Sequence, residues 1–175
     1  MHPIISITPN VVDTPIGSLT PGTWGVLQSP RSPNTPSIVV LCIEQIEHEN
    51  ATQILFFGPD PLGIFSIARQ DLQVLAITDH VDVKIDPKAM TRLPFPDPES
   101  HTSVLFALDS EGPLFLTTRN RQYGRFACAI RPNDLEIVDL PTRAFWTSEF
   151  DLRTWCNQEN HWDTVASFRR SAGEE

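Results

Sequence analysis

The sequence predicts a mostly β protein, folded as a barrel or a two-sheet sandwich, with one C-terminal α-helix packed on the sheet. Three observations predict this. Short β-branched and aromatic runs recur along the chain, sixteen prolines separate them, and the stretch 148–170 lacks both proline and glycine. Proline has no backbone donor, so it interrupts helices and central strands. With 175 residues the chain has the size of one domain, and residues 1–175 are interpreted as one.

Strand-length apolar runs occupy most of the chain between residues 23 and 140. Turn-forming residues lie between them, and the run 109–113, Asp-Ser-Glu-Gly-Pro, is typical of a hairpin turn. In chain order the predicted strands are 23–27, 38–43, 54–57, 64–68, one or two strands within 72–85, and then 104–108, 114–118, 126–130 and 135–140. Many short strands at this spacing indicate a barrel or a sandwich.

Two segments of the chain are similar to each other. The runs 63–65 and 69–74 correspond to 124–126 and 131–137, because both begin with Gly-x-Phe and continue with arginine and then Asp-Leu. The similarity predicts that one β-meander is used twice, as repeat units 37–86 and 103–140. Gly-x-Phe and Asp-Leu are also common at strand and turn boundaries, so a chance match is the alternative.

The stretch 148–170 carries the signals of a helix. Ser148 and Asp151 are spaced as in a capping arrangement. Side chains at helical spacing form one stripe: Leu152, Trp155, Cys156, Trp162 and Ala166. We therefore predict an α-helix over about 148–170 with its tryptophans against the sheet, and frayed residues at 171–175.

Composition limits the classes of partner. The formal net charge of −9 disfavours general binding to nucleic acid or anionic membranes, which attract basic surfaces. No apolar run approaches the roughly 20 residues of a membrane helix, and the N-terminus does not have the pattern of a signal peptide. Three cysteines without paired spacing predict free thiols, with Cys42 and Cys128 buried in strands. A cytoplasmic protein is expected.

The first candidate site consists of Arg119, Arg121, Tyr123 and Arg125. Three of the thirteen basic residues fall within seven positions there, in what the pattern predicts to be a loop. Guanidinium groups bind carboxylate or phosphate with paired donors, and a tyrosine ring can stack on a ligand. The alternative is a solvated hairpin end whose arginines pair with surface carboxylates.

The second candidate site consists of His80 and Asp82. Both lie on the polar face of a predicted strand, opposite the face of Val81 and Val83. An imidazole and a carboxylate two positions apart can share a metal ion or transfer a proton. Two ligands do not complete a metal site, and a strand with one solvated face gives the same pattern.

Motif searches favour binding over catalysis. The sequence contains no glycine-rich phosphate loop, no Gly-x-Ser-x-Gly, no His-Glu-x-x-His and no Cys-x-x-Cys. The leading hypothesis is a non-catalytic protein-binding module without a cofactor or catalytic residues, of the kind that includes inhibitors and immunity-type factors, with another protein as its partner. One alternative is a binder of small or phosphate-bearing ligands that uses the arginines of the first site. The other is a metal-dependent enzyme that uses His80 and Asp82.

Overall fold

The computed structural model of the chain describes residues 4–5, 11–27, 38–57, 63–92, 104–121, 124–156 and 160–169. Within these residues the fold consists of strands joined by turns and three short 3-10 helices, with no α-helix. The strands are β1 (Ile4–Ile5), β2 (Val11–Pro15), β3 (Trp24–Leu27), β4 (Ile38–Ile46), β5 (Ala51–Phe57), β6 (Gly63–Ile67), β7 (Gln73–Ile77), β8 (Val81–Ile85), β9 (Thr91–Arg92), β10 (Leu105–Leu108), β11 (Pro113–Arg121), β12 (Gly124–Ile130), β13 (Ile137–Val138), β14 (Phe145–Thr147), β15 (Phe150–Cys156) and β16 (His161–Phe168). None of the helices in these ranges has the length and apolar character that crossing a membrane requires.

The strands form two sheets. The large sheet has the order β2-β7-β3-β4-β5-β6-β11-β10-β14-β9, and β12 pairs with both β11 and β13. The small sheet has the order β1-β16-β15-β8. Strand β6 runs parallel to β11, with Ile64 opposite Arg119, and this contact joins the two halves of the large sheet. The end strands β2 and β9 do not pair with each other in the described part of the chain, so the large sheet is not a closed barrel.

The main apolar core lies between the two sheets. Phe150 of the small sheet stacks on Phe168 with ring centroids 4.5 Å apart. Its ring also lies 6.2 Å from Phe106 and 6.1 Å from Phe115, which belong to the large sheet. Because aromatic rings bury large apolar areas, this cluster strongly stabilises the packing of the two sheets against each other.

The opposite face of the large sheet is also covered. Ile16 and Leu19 pack over Val40, Ile54 and Phe56 in the first half of the sheet. In the second half, a separate cluster contains Leu105, Ala107, Leu114, Leu116, Ala129 and Ala144. Burial on both faces explains why the runs 38–43 and 54–57 are continuously apolar instead of alternating.

The prediction of a mostly β fold is confirmed. The sequence predicts one or two strands within 72–85. The structure has two there, β7 and β8, and they belong to different sheets. Gly63 and Gly124 each begin the third strand of an antiparallel meander, β4-β5-β6 in one case and β10-β11-β12 in the other. The equivalence of segments 37–86 and 103–140 as repeat units stays a prediction.

The prediction of an α-helix over about 148–170 is wrong. Residues 150–156 and 161–168 form an antiparallel hairpin, β15 and β16. Phe150, Leu152 and Thr154 of β15 are buried, which is the period of two that a strand requires. Asn160 precedes β16 with a positive φ of 55°, a conformation that asparagine adopts more readily than most residues. The residues 171–175, predicted to fray, lie outside the described ranges.

The prediction that Cys42 and Cys128 are buried and form no disulfide is confirmed. Cys42 is fully enclosed in the cluster beneath Ile16 and Leu19. Burial raises the pKa of its thiol to about 11, because the charged thiolate would lose its hydration there. The thiolate is the reactive form of cysteine, and a thiol with this raised pKa stays protonated near neutral pH. Cys42 is therefore an unreactive, small residue of the core.

A largely buried ion pair stabilises the turn between β10 and β11. The Asp109 carboxylate accepts hydrogen bonds from the backbone N–H groups of Glu111 at 2.8 Å and Gly112 at 2.9 Å. It also accepts one from Arg131 Nη2 at 3.3 Å. Burial acts to raise the pKa of Asp109, but the hydrogen bonds from Glu111, Arg131 and Gly112 and the positive charge of Arg131 outweigh it, so the pKa lies below its usual value.

We expect the stabilisation by Asp109 to depend on pH. Because its pKa is lower in the folded state, its contribution is present above the usual aspartate pKa of about 3.9 and is lost as the pH falls through the folded value. Asp109→Asn should therefore lower the free energy of unfolding by about 1 kcal/mol near neutral pH. The difference from wild type should shrink toward about pH 3, as measured by urea unfolding at both pH values. A difference that stays constant with pH would contradict this assignment.

Candidate functional site

The structure places the arginines of the first candidate site in strands, so the prediction of a loop over these positions is wrong. Arg119 and Arg121 lie in β11, and Arg125 lies in β12. In the register of this hairpin, Arg125 is opposite Asn120 and Arg121 is opposite Gly124. Tyr123 lies outside the described residues. Binding of an anionic ligand by these four residues stays a prediction.

His80 directly precedes β8, and Asp82 is the second residue of that strand. The Asp82 carboxylate accepts a hydrogen bond from Arg153 Nη2 at 2.8 Å, in the neighbouring strand β15. This guanidinium already neutralises the carboxylate that a metal ion would need. The described ranges contain no cluster of three or more histidine, cysteine or acidic side chains that would hold a metal. A metal site at His80 and Asp82 stays a prediction.

The hairpin β15-β16 has one face in the main core and the other directed outward. Leu152 and Thr154 are buried, whereas Arg153 and Trp155, which alternate with them, are only partly buried. Trp162 lies directly opposite Trp155 in the register. Since opposite residues of an antiparallel pair project from the same face, both tryptophans belong to the outward face.

Four side chains form a continuous row across this face: Asp82, Arg153, Trp162 and Trp155. We call it the Trp–Arg row. The rings of Trp155 and Trp162 meet edge to face with centroids 5.3 Å apart. The guanidinium carbon of Arg153 lies 4.6 Å from the centroid of the Trp162 ring, which is a cation–π contact. Arg153 is thus fixed by Asp82 on one side and by Trp162 on the other.

Trp162 remains 39% exposed despite these contacts. Two other large apolar side chains in the described ranges are exposed, Val12 and Phe145, each at 53%. They lie on β2 and β14, in the large sheet. Trp162 differs from them because it is part of an ordered row that contains a second tryptophan and an arginine.

A cleft opens beside the Trp–Arg row, and Asp82 belongs to both. It offers about 450 Å³ of space between β8 of the small sheet and β10 of the large sheet. Its apolar lining includes Trp24, Ile77, Phe106, Leu108 and Pro113, and its polar lining includes Asp79, His80, Asp82 and Asn133. Pockets for small ligands typically measure about 300–1,000 Å³ and combine apolar walls with a few polar groups. The cleft has both properties.

Sequence reasoning selected some of these residues and missed the arrangement. It predicted Trp155 and Trp162 as buried anchors of a helix, which is wrong, because they form a cross-strand pair on the outer face. The β-branched residues Thr154, Thr164 and Val165 within the hairpin were the available signal for strands. It selected His80 and Asp82, but for a metal and not as part of the lining of a cleft.

No protein-family model, curated protein or solved structure matches this chain. Hypotheses about its function therefore depend on the geometry of its own residues.

Proposed function

We propose that this protein is a non-catalytic binding module that recognises another protein through the Trp–Arg row. The observation that carries the proposal is Trp162, a large aromatic side chain that is 39% exposed and held in place by Trp155 and Arg153. Tryptophan and arginine are strongly enriched among the residues that dominate binding energy at protein interfaces.

The contacts within the row favour binding because they reduce its entropic cost. A long side chain such as arginine loses about 0.5–1.5 kcal/mol of conformational freedom when an interface immobilises it. Arg153 is already held by Asp82 at 2.8 Å and by the ring of Trp162. A partner that covers the row would therefore meet groups that are already ordered.

The charge of the chain indicates the kind of partner. With a formal net charge of −9, the protein attracts basic surfaces and increases their rate of association. A basic protein partner agrees with the hypothesis of an inhibitor or an immunity-type factor. The same charge disfavours nucleic acid as the partner.

A cytoplasmic location is part of the proposal. Cys42 is buried and forms no disulfide. Cysteines that stay as thiols are usual in proteins of reducing compartments, whereas secreted domains tend to form disulfides.

Replacing Trp162 should weaken capture of the partner. We expect Trp162→Thr to weaken binding by at least about 30-fold, because truncating such a residue costs about 2 kcal/mol or more. Threonine retains a high strand propensity and keeps the hairpin intact. Affinity capture from native lysate with quantitative mass spectrometry identifies the protein retained by the wild type, and titration of that protein gives the ratio of affinities.

Phe145→Thr is the matched control, because Phe145 is also an exposed aromatic residue in a strand. It should retain the partner at wild-type affinity. Equal losses in both variants, or capture of no stoichiometric protein by the wild type, would contradict the proposal. Circular dichroism of Trp162→Thr confirms that the hairpin is still folded.

A further inference from the structure

We infer that the partner docks by adding an extended strand to the edge of β8 and placing an apolar side chain in the cleft beside the Trp–Arg row. This inference rests on the proposed function for the existence of a protein partner, and it names the part of that partner that makes contact. Asp82 belongs both to β8 and to the row, so the two contact surfaces are continuous.

β8 is an end strand of the small sheet. In the described part of the chain it pairs with β15 and with no second strand. Its residues Val81–Ile85 pair with 150–154 in a regular register, without a bulge, and they contain no proline. Bulges and prolines are two devices that block the edge of a sheet, and β8 has neither. Its backbone N–H and C=O groups therefore have the geometry that a further strand requires.

The cleft runs along this edge. The consecutive residues 79–83 all belong to its lining. Val81 and Val83 pack toward the main core, whereas Asp82 lies on the opposite face with Arg153. Because successive side chains of a strand point to opposite faces, a cavity lined by both sets passes the edge of that strand. A strand added to β8 would therefore lie over the mouth of the cleft.

The far wall of the cleft is apolar and fixed. Trp24 and Phe106 belong to this wall, and Trp24 is only 9% exposed. The ring centroids of these two residues lie 5.8 Å and 5.9 Å, respectively, from that of Phe115 in the core. A preformed apolar surface binds an apolar group with little cost for ordering the protein. The space of about 450 Å³ is in the range that encloses small ligands, so a large apolar side chain fits.

The charge of the chain favours a basic segment over a second copy of this protein. A free strand edge also pairs with the same edge of another molecule. Two copies would each carry a formal net charge of −9 and repel one another, whereas lysine or arginine beside the apolar residues of a partner is attracted. The expected occupant is an extended basic segment with apolar residues at alternate positions, the pattern of strand addition to a sheet edge.

The probe is the capped peptide Lys-Val-Thr-Phe-Thr-Val-Lys, titrated into the full chain. An added strand forms hydrogen bonds to its neighbour through alternate residues only. Two variants of the peptide test this: one is N-methylated at the first valine and the phenylalanine, the other at both threonines. We expect one variant to bind at least about tenfold more weakly than the parent peptide and the other to stay within about threefold.

Hydrogen exchange locates the peptide on the protein. Backbone amide hydrogens within 81–85 should exchange at least about tenfold more slowly when the peptide is bound. The internal control is β2, an end strand of the large sheet, whose exchange should not change. Replacing the phenylalanine of the peptide by serine tests the cleft. We expect this change to weaken binding at least about tenfold, because burial of the ring is lost.

Asn133→Arg tests the cleft from the side of the protein. Asn133 is an exposed residue of the lining, and arginine there places bulk and positive charge where the basic peptide enters. We expect this variant to bind the peptide at least about tenfold more weakly. Ser18→Arg is the matched control, because Ser18 is exposed on the loop after β2 and makes the same change in net charge. Its affinity should stay within about threefold of wild type, and thermal unfolding verifies the fold of both variants.

Four results would overturn the inference: no binding of the parent peptide, equal affinities of the two N-methylated peptides, no added protection within 81–85, and a wild-type dimer that the peptide dissociates. The last would assign the edge to a second copy. Because these measurements use the peptide alone, they are independent of the capture experiment. A captured partner together with an inert peptide contradicts strand addition only, whereas a bound peptide without any captured partner contradicts the proposed function only.

Discussion

Replacement of Phe150 by alanine is expected to lower the free energy of unfolding by about 3–5 kcal/mol. Phe150 is 1% exposed and lies where the small sheet meets the large one. Its ring stacks on Phe168 and contacts Phe106 and Phe115, so the truncation removes contacts on both sides of the core. The surrounding strands cannot fully close the space that remains, and the cavity adds to the lost burial. Urea unfolding of wild type and variant measures the difference.

Phe145→Ala is the control for this prediction. Phe145 is 53% exposed on β14, and its truncation should change the free energy of unfolding by only about 0.5 kcal/mol. The dependence on urea concentration should stay the same if only stability has changed. Similar losses of unfolding free energy in the two variants would show that the aromatic cluster does not stabilise the packing between the sheets.

The sequence predicts the central strands of the large sheet well because both faces of this sheet are buried there. Strands such as β4 and β5 are then apolar at consecutive positions, and a run of that kind stands out between turn residues. The hairpin turn before β11 is also predictable, because it depends on residues that are close in sequence. The Asp109 side chain accepts hydrogen bonds from the backbone of its own turn.

The C-terminal hairpin could not be predicted in the same way. Its outer face carries Trp155 and Trp162, so apolar side chains lie on both faces and blur the period of two. The remaining apolar positions then happen to match a helical spacing. The β-branched residues of the hairpin favour strands locally, but the pairing of β15 with β8 involves a segment distant in sequence, and short-range patterns do not contain that pairing.

The candidate site was predictable only in part. The polar face of β8 identified His80 and Asp82, because alternation is a local property. Their environment is not local: Arg153 reaches Asp82 from β15, and Trp24 and Phe106 complete the cleft from two other strands. These contacts follow from the order of strands in the two sheets, and local sequence patterns do not reveal that order.

Gly63→Ala is expected to lower the free energy of unfolding by about 3 kcal/mol or more, although it adds only one methyl group. Gly63 has a φ of +106°, where a side chain costs about 1–3 kcal/mol. A Cβ atom at this position would also overlap the backbone oxygen of Thr118 in β11. Backbone cannot rotate away as a side chain does, so β6 and β11 would have to separate. That contact joins the two halves of the large sheet.

Gly22→Ala isolates the contribution of the backbone conformation. Gly22 has a similarly positive φ of +87°, but no atom lies within 4 Å of the position of its Cβ. We expect this variant to lose only about 1–2 kcal/mol, which is the cost of the backbone conformation alone. The excess loss in Gly63→Ala, measured by urea unfolding, then reports the close approach of β6 to β11. If both glycines give the same loss, the two halves of the sheet are not in the tight contact that the register indicates, because a looser junction would accommodate the methyl group.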